Sequence, residues 1–273
     1  ALTAAELVTL GGSVTHAYAD GAAGGTARTI TVSATDEDGT WTQTRALTVN
    51  NVAPTIALSG NLTVDEGSSF TLTLGAVTDP GQDTPTSYTI NWGDGAVEVV
   101  NSLGDYTHAY ADGSINRTIS VLVTDEDGQH SNAGTWTVTV NNVAPAVLLT
   151  GAAVSAEGAS YALNLVGSDP AGTADTLSYS IDWGDGSAAQ LLTAAELSTL
   201  GGNVAHIYTD DEDGPVNSTG HTITVTVSDE DGGSSSSTKT VTVNNVAPTI
   251  ALAGAATVVE DSAYTLTLGA VVD

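Results

Sequence analysis

The sequence predicts an all-β protein built as tandem immunoglobulin-like β-sandwich repeats. Three observations carry that expectation. Apolar and polar residues alternate over short runs. The runs are separated by turns rich in Gly, Asp and Pro every 8–12 residues or so, the rhythm of a sandwich. The same ordered set of motifs returns along the chain.

The elements of one repeat can be read off residues 54–144. Ile56 and Leu58 alternate, then Leu62 and Val64 after a break at Gly60. Glu66-Gly67 is a turn. Phe70, Leu72 and Leu74 alternate next and end at Asp79-Pro80-Gly81. Tyr88, Ile90 and Trp92 lead into Gly93-Asp94-Gly95. Ile119, Val121 and Val123 lead into Asp125-Glu126-Asp127-Gly128, and Trp136, Val138 and Val140 run into Asn141. A period of two makes each a strand with one buried face. One piece reads as helix. Leu2-Thr3-Ala4-Ala5-Glu6-Leu7 recurs as Leu192 to Leu197, where Thr with Glu three residues later is a capping box inside a Leu–Leu staple. Short helices are predicted over 3–9 and 193–199, with no counterpart at 97–104.

The repeat boundaries follow from the motifs. Asn-Asn-Val-Ala-Pro stands at 50–54, 141–145 and 244–248; Asp-Glu-Asp-Gly at 36–39, 125–128 and 229–232; Trp-Gly-Asp-Gly at 92–95 and 183–186. His-x-Tyr begins at His16, His108 and His206. The linker prolines are 91 and then 103 residues apart. Most of the difference falls between Trp-Gly-Asp-Gly and His-x-Tyr, and between His-x-Tyr and the next strand, so both segments are predicted to be surface loops. Residues 1–53 read as the later part of a repeat, 54–144 and 145–247 as whole repeats, and 248–273 as the start of another. Both ends are expected to continue in the chain or to be completed by copies of itself in a filament.

Composition narrows the function classes. Four Lys and Arg stand against 32 Asp and Glu, a net charge of −28. Nucleic acid and anionic membrane surfaces both call for basic residues, so neither is an expected partner. No apolar run approaches the ~18 residues of a membrane span, so no membrane insertion is expected. There is no Cys to staple a domain, and a repeat of roughly 90 residues can fold on its core alone. Abundant Thr and Val favour strands over disorder.

Tyr88-Thr-Ile-Asn-Trp-Gly-Asp-Gly95, then His108-Ala-Tyr110, then Thr118-Ile-Ser-Val-Leu-Val-Thr-Asp125 resembles the PKD domain family, and the 181–186, 206–208 and 222–229 segments match again in the same order. The family usually has Phe before Gly-Asp-Gly; here Trp fills that place. The spacing of Asn-Asn-x-x-Pro, Glu-Gly, Asp-Pro and a late Asp-x-Asp is also similar to the calcium framework of cadherins. The resemblance implies the adhesive or spacer modules of large bacterial extracellular, adhesin-like proteins.

The acids can be placed by threading the strands up and down a sandwich. Asp79, Asp83, Asp125 and Asp127 then converge at one tip, beside the incoming linker Asn50-Asn51. The next repeat gathers Asp169, Asp175, Asp229 and Asp231 beside Asn141-Asn142. A third junction would use Asn244, Asn245 and Asp273. Two like charges ~4 Å apart repel by about 4 kcal/mol at an effective dielectric of 20. Ca²⁺ would relieve this, since it takes six to eight oxygens from carboxylates, amides and backbone. A competing reading is that Asp and Asn simply populate turns; it accounts for the residue types and not for their convergence. Asp94 and Asp185 are expected to bond their own turns, and His108 and His206 to be core histidines bonded to backbone rather than zinc ligands. The sequons at Asn61, Asn116 and Asn217 occur at the frequency chance gives a Thr-rich chain.

The leading expectation is a secreted or cell-surface array: a calcium-stiffened stalk, fibre or adhesin shaft whose partners are neighbouring repeats or copies of itself. The alternative is a module that grips a glycan or a surface receptor with its variable loops. An enzyme is not expected, because no catalytic constellation recurs outside the tips.

Overall fold

A computed structural model describes residues 1–210 and 217–272. The chain divides into two compact units, Ala1–Asn141 and Asn142–Asp273. The first opens with helix α1 (Ala4–Thr9) and the hairpin β1 (Thr26–Asp36) and β2 (Gly39–Val49). A complete sandwich follows: β3 (Thr55–Gly60), β4 (Thr63–Asp65), β5 (Ser69–Thr78), β6 (Ser87–Asn91), β7 (Val97–Val100), β8 (Gly104–Ala109), β9 (Ile115–Thr124) and β10 (Gln129–Asn141). One sheet has the order β4-β10-β9-β6-β7, and the other β3-β5-β8. Every pairing is antiparallel except β4 on β10.

The second unit repeats this plan. Its strands are β11 (Ala146–Gly151), β12 (Val154–Ala156), β13 (Ser160–Ser168), β14 (Ser178–Asp182), β15 (Gln190–Thr193), helix α2 (Ala194–Thr199), β16 (Asn203–Ile207), β17 (Ser218–Ser228) and β18 (Ser234–Asn244). The sheets are β12-β18-β17-β14-β15 and β11-β13-β16. The hairpin β19 (Thr249–Gly254) with β20 (Leu266–Val272) closes the described chain.

The alternation read from sequence becomes the core. Phe70, Leu72 and Leu74 on one sheet meet Ile90, Ile119, Val121, Val123, Val138 and Val140 on the other. Tyr161, Leu163, Leu165, Ile181, Ile223, Val225 and Val241 repeat that layer. Trp92 and Trp183 are buried at the centre of each, as expected. Leu62 is a correction: it is 70% exposed, because it lies in the bend before the three-residue edge strand β4 and not in a strand.

A second correction concerns the segment between Trp-Gly-Asp-Gly and His-x-Tyr, expected as loop. It carries strands β7 and β8 in one repeat, and in the next strands β15 and β16 on either side of the expected helix α2. The other expected loop lies partly at 211–216, outside the described residues. Both helices form as read, each with Thr at the N-cap and a complete capping box. Their packing differs: α2 buries Leu197 on the core, whereas α1 buries nothing.

The turn motif and His-x-Tyr prove to be one device. Gly93 and Gly184 adopt positive φ, and a Cβ there would stand 2.6 and 2.5 Å from the carbonyls of Thr118 and Thr222, so only glycine fits. Tyr110 and Tyr208 donate their hydroxyls to the carbonyls of Trp92 and Trp183, at 3.0 and 3.2 Å. Asp94 and Asp185 accept amides within their own turns, as expected. The histidines differ from expectation. Each is 17% exposed at the side chain, stacks on its Trp, and bonds a carboxylate instead of backbone: His108 to Asp94 and His206 to Asp185, both at 2.7 Å. A histidine on the edge strands β8 and β16 faces the turn rather than the core, which is why the aspartate reaches it.

Burial opposes ionisation of Asp185, but hydrogen bonds from Ser187 and His206 outweigh it and hold the carboxyl down at about 2. Asp94 is lowered in the same way by His108 and Ala96 against burial. A depressed folded value means stability that is full above the unfolded value near 4 and is lost as pH falls toward about 2. Asp185→Asn is therefore expected to cost about 1–2 kcal/mol at neutral pH and to flatten the acid limb for its repeat. Urea melts at neutral pH and near pH 2.5 measure both. An unchanged acid limb would show that the pair contributes nothing.

Candidate metal centre

In the first unit β5 and β9 run to the same tip, so the turns that follow them lie together. Asp79, Asp83 and Asp125 offer oxygens all within 4.8 Å of one another. Asp20, Asp83 and Asp127 form a second such group, with Asp83 common to both. All four aspartates expected at this tip are thus brought together. Asp20, which the sequence reading missed, joins them from the preceding repeat. A signal for it existed: His-x-Tyr is His-x-Tyr-x-Asp each time, ending at Asp20, Asp112 and Asp210.

Local chemistry fixes each carboxylate. Asp79 Oδ1 accepts the Gly81 amide at 2.8 Å, and Asp125 Oδ1 accepts those of Asp127 and Gly128 at 2.9 and 3.1 Å. These are turns closed by the Asp side chain. His130 Nε2 stands 2.9 Å from Asp125 Oδ2. Asn50 and Asn51 line a recess of about 90 Å³ with Asp20, Pro80 and Gly81, which places the linker beside the carboxylates.

The electrostatics are those of a crowded tip. Burial, and then the charges of Asp79, Asp127, Asp20 and Glu126, push the Asp83 carboxyl up to about 6. Asp127 is raised by burial and then by Asp20 and Asp125, with the Ala23 amide opposing. Both residues keep some exposure, yet the Oδ2 atom of each is shielded from water and has no hydrogen-bond partner. Among the described residues no lysine or arginine pairs with these carboxylates.

The second unit has an equivalent group. Asp169, Asp175 and Asp229 offer oxygens within 4.8 Å of one another, and Asp175 and Asp229 are buried. Asn142 donates to Asp229 Oδ2 at 3.0 Å, while its own Oδ1 is shielded and unbonded. Asp169 Oδ2 is likewise shielded without a partner. At Gly233 an added Cβ would strike Asp229 Oδ2 and lie 2.9 Å from Asn142 Nδ2, so the cradle tolerates no side chain there.

Not every expected residue joins. Asp231 is exposed and outside the group. Asn141 turns back to Asp65, to which it donates at 3.1 Å. Asn244 and Asn245 engage the foot of their own repeat: the Asn244 carbonyl accepts the Glu157 amide, and the Asn245 amide donates to Asn217. Glu157 Oε1 accepts the next linker amide, Val246, at 2.6 Å. Asp273 lies outside the described residues.

These groups suit a hard cation. Every donor is oxygen, and a Ca²⁺ with Ca–O distances of 2.3–2.6 Å spans ligand oxygens up to about 5 Å apart. The orphaned oxygens of Asp83, Asp127, Asp169 and Asn142 are the atoms such an ion would satisfy. In the first unit Asp79, Asp83 and Asp125 would hold one ion, and Asp20, Asp83 and Asp127 form an adjoining set; in the other unit the holders would be Asp169, Asp175 and Asp229 with Asn142.

Among the described residues no helix is long and apolar enough to cross a membrane. The three N-terminal domains of the highly immunogenic outer capsid protein of bacteriophage RB49 are similar in structure over 81% of this chain and 70% of theirs, at 16% identity and a TM-score of 0.28. The central fibronectin-III array of RIM-binding protein is similar over 79% of this chain and 78% of its own, at 12% identity and a TM-score of 0.25. No curated protein sequence matches. The family model for the PKD domain matches twice in tandem, over residues 51–140 and 142–244. With its two complete sandwiches covered in turn by that match, the chain belongs to the PKD domain family.

Proposed function

We propose that this chain is part of the shaft of an extracellular structural protein, a stalk, fibre or adhesin, in which calcium at the repeat tips stiffens the array. The observation that carries the reading is the gathering of carboxylates beside the incoming linker in both units, with shielded oxygens left unbonded and no basic residue paired to them. Asp20 adds weight, because it comes from the repeat before. A tip built from turns alone has no use for a carboxylate contributed by the neighbour. Calcium there would cancel the repulsion and restrain the linker. The foot of a repeat supports the same picture, since Glu157 grips the outgoing linker amide beside Asp210.

One feature favours the binding-module reading. Helix α2, present only in the second sandwich, borders a groove of about 280 Å³ lined by Tyr179, Ser180, Leu191, Thr193 and Glu196. It lacks the stacked exposed aromatics that a sugar platform uses, so the shaft reading stands first.

Titration of the chain with calcium by calorimetry tests the proposal. Binding is expected with Kd of roughly 10⁻⁴–10⁻³ M, the range of extracellular modules. Magnesium is expected to bind far more weakly, because it keeps its waters and rarely enters all-protein cages. Absence of calcium uptake at about 10 mM, an order of magnitude above that range, would leave the acids as ordinary turn residues.

A further inference from the structure

The middle acid of Asp-Glu-Asp-Gly belongs to neither oxygen group, although it stands between two residues of the motif. In both repeats it folds back onto the loop that carries a central aspartate. Glu126 Oε2 accepts the backbone N–H of Thr84 at 2.7 Å, and Glu230 Oε2 accepts that of Thr176. Thr84 follows Asp83, and Thr176 follows Asp175.

The loops being gripped differ in length. Asp83 comes four residues after Asp79, whereas Asp175 comes six after Asp169. The glutamate nonetheless takes the amide directly after the aspartate in each. The grip is keyed to the aspartate and not to a fixed distance from the start of the loop. From the geometry we infer that Glu126 and Glu230 are positioning residues that hold Asp83 and Asp175 in the cation-binding group without being ligands themselves.

The physical need for such a strut is clear at the first tip. Asp83 is shared by both oxygen groups and faces the charges of Asp79, Asp127 and Asp20. In the metal-free chain those charges push its loop outward. The loop is anchored at one end by the Gly81 amide on Asp79 and at the other by the Thr86 amide on the Thr124 carbonyl. The bond to Glu126 falls between these anchors, beside Asp83 itself. It keeps the loop closed before an ion arrives, so the cation meets a formed site. Outer residues that orient ligands typically govern affinity by about 10–100-fold.

The inference rests on the calcium reading above, and the experiment separates the two. The full chain is titrated with calcium alongside the double variants Glu126→Gln/Glu230→Gln and Glu126→Ala/Glu230→Ala. Glutamine keeps an oxygen that can accept the Thr amide but loses the charge; alanine loses both. Expected results are affinity within about threefold of wild type for the glutamine chain, and at least about tenfold weaker binding for the alanine chain. Equal weakening by both variants would mean that the glutamates act as charges or as ligands, and would overturn the inference. No weakening in either would overturn it as well. If wild type itself takes up no calcium, the proposed function fails and this inference with it. Glu126→Met/Glu230→Met, similar in length and unable to accept a hydrogen bond, replaces the alanine chain should that one fail to fold.

Discussion

Trp183→Ala is expected to remove about 3–5 kcal/mol from the second sandwich, the range for deleting a large buried aromatic. Trp183 is 1% exposed and sits where four contacts meet. Its ring stacks on His206 at 4.5 Å and 7°, and Tyr161 meets it edge-on at 6.5 Å. Its indole donates to Gln190 at 3.3 Å, and its carbonyl accepts from Tyr208. Alanine leaves a cavity and frees His206 from its stack, which loosens the bond to Asp185 as well. A domain of this size is stable by only about 5–15 kcal/mol, so one substitution removes a large share. The two sandwiches have separate cores, and the melting of residues 54–141 should therefore be unmoved. Scanning calorimetry reads both transitions. A loss below about 1 kcal/mol would mean that the Trp-Gly-Asp-Gly turn is held by its hydrogen bonds and not by the plug.

Long strands were legible because each has one face in the core. Phe70-x-Leu72-x-Leu74 and Ile119-x-Val121-x-Val123 announce themselves by period. Strands β7 and β8 did not, for a physical reason. They lie at sheet edges, where burial still alternates but residue polarity does not follow it: Val97 and Val99 of β7 are exposed and Glu98 between them is half-buried. Leu62 misleads in the opposite sense: an apolar residue in the bend before β4 stands two positions from Val64 and so mimics a strand period. The helices were legible down to the cap because a capping box is local chemistry. Whether they pack is a tertiary property, and identical letters give a buried Leu197 and an exposed Leu7.

The candidate site divides along the same line. Counting strands was enough to bring Asp79, Asp83, Asp125 and Asp127 to one end, since antiparallel strands alternate ends whatever their exact register. A contribution from a neighbouring repeat needs more than strand counting, and Asp20 is visible only in the longer motif His-x-Tyr-x-Asp. The His–Asp pairs were missed because pairing across 14 and 21 residues depends on which edge strand returns beside the turn. Asp-Glu-Asp-Gly shows how much one turn can divide its labour. At 125–128 its first Asp closes the hairpin and enters one oxygen group, its Glu grips the adjoining loop, and its second Asp meets Asp20.

Chelation of calcium is expected to soften and destabilise the array. An ion that binds only the folded state stabilises it by mass action: at about 2 mM calcium and a Kd of roughly 10⁻⁴ M, each site adds about 2 kcal/mol. For a repeat of this size that is on the order of 10 °C in melting temperature. Protons compete for the same oxygens, because an ion needs them ionised. Asp83, raised to about 6 by burial and then by its acidic neighbours, has a folded value above its unfolded one. Its repulsion therefore weighs fully above pH 6 and is relieved as pH falls toward 4, so the calcium effect should shrink over that interval. Asp125→Asn with Asp127→Asn should weaken the first tip alone, because the second group is built from Asp169, Asp175 and Asp229. Calorimetry with and without chelator gives the stability term. Small-angle scattering gives the mechanical one: a stiff array loses maximum dimension when its linkers are freed. If chelation changes neither the melting temperature nor the maximum dimension, the shaft owes its stiffness to the proline linkers and to grips such as that of Glu157 on Val246.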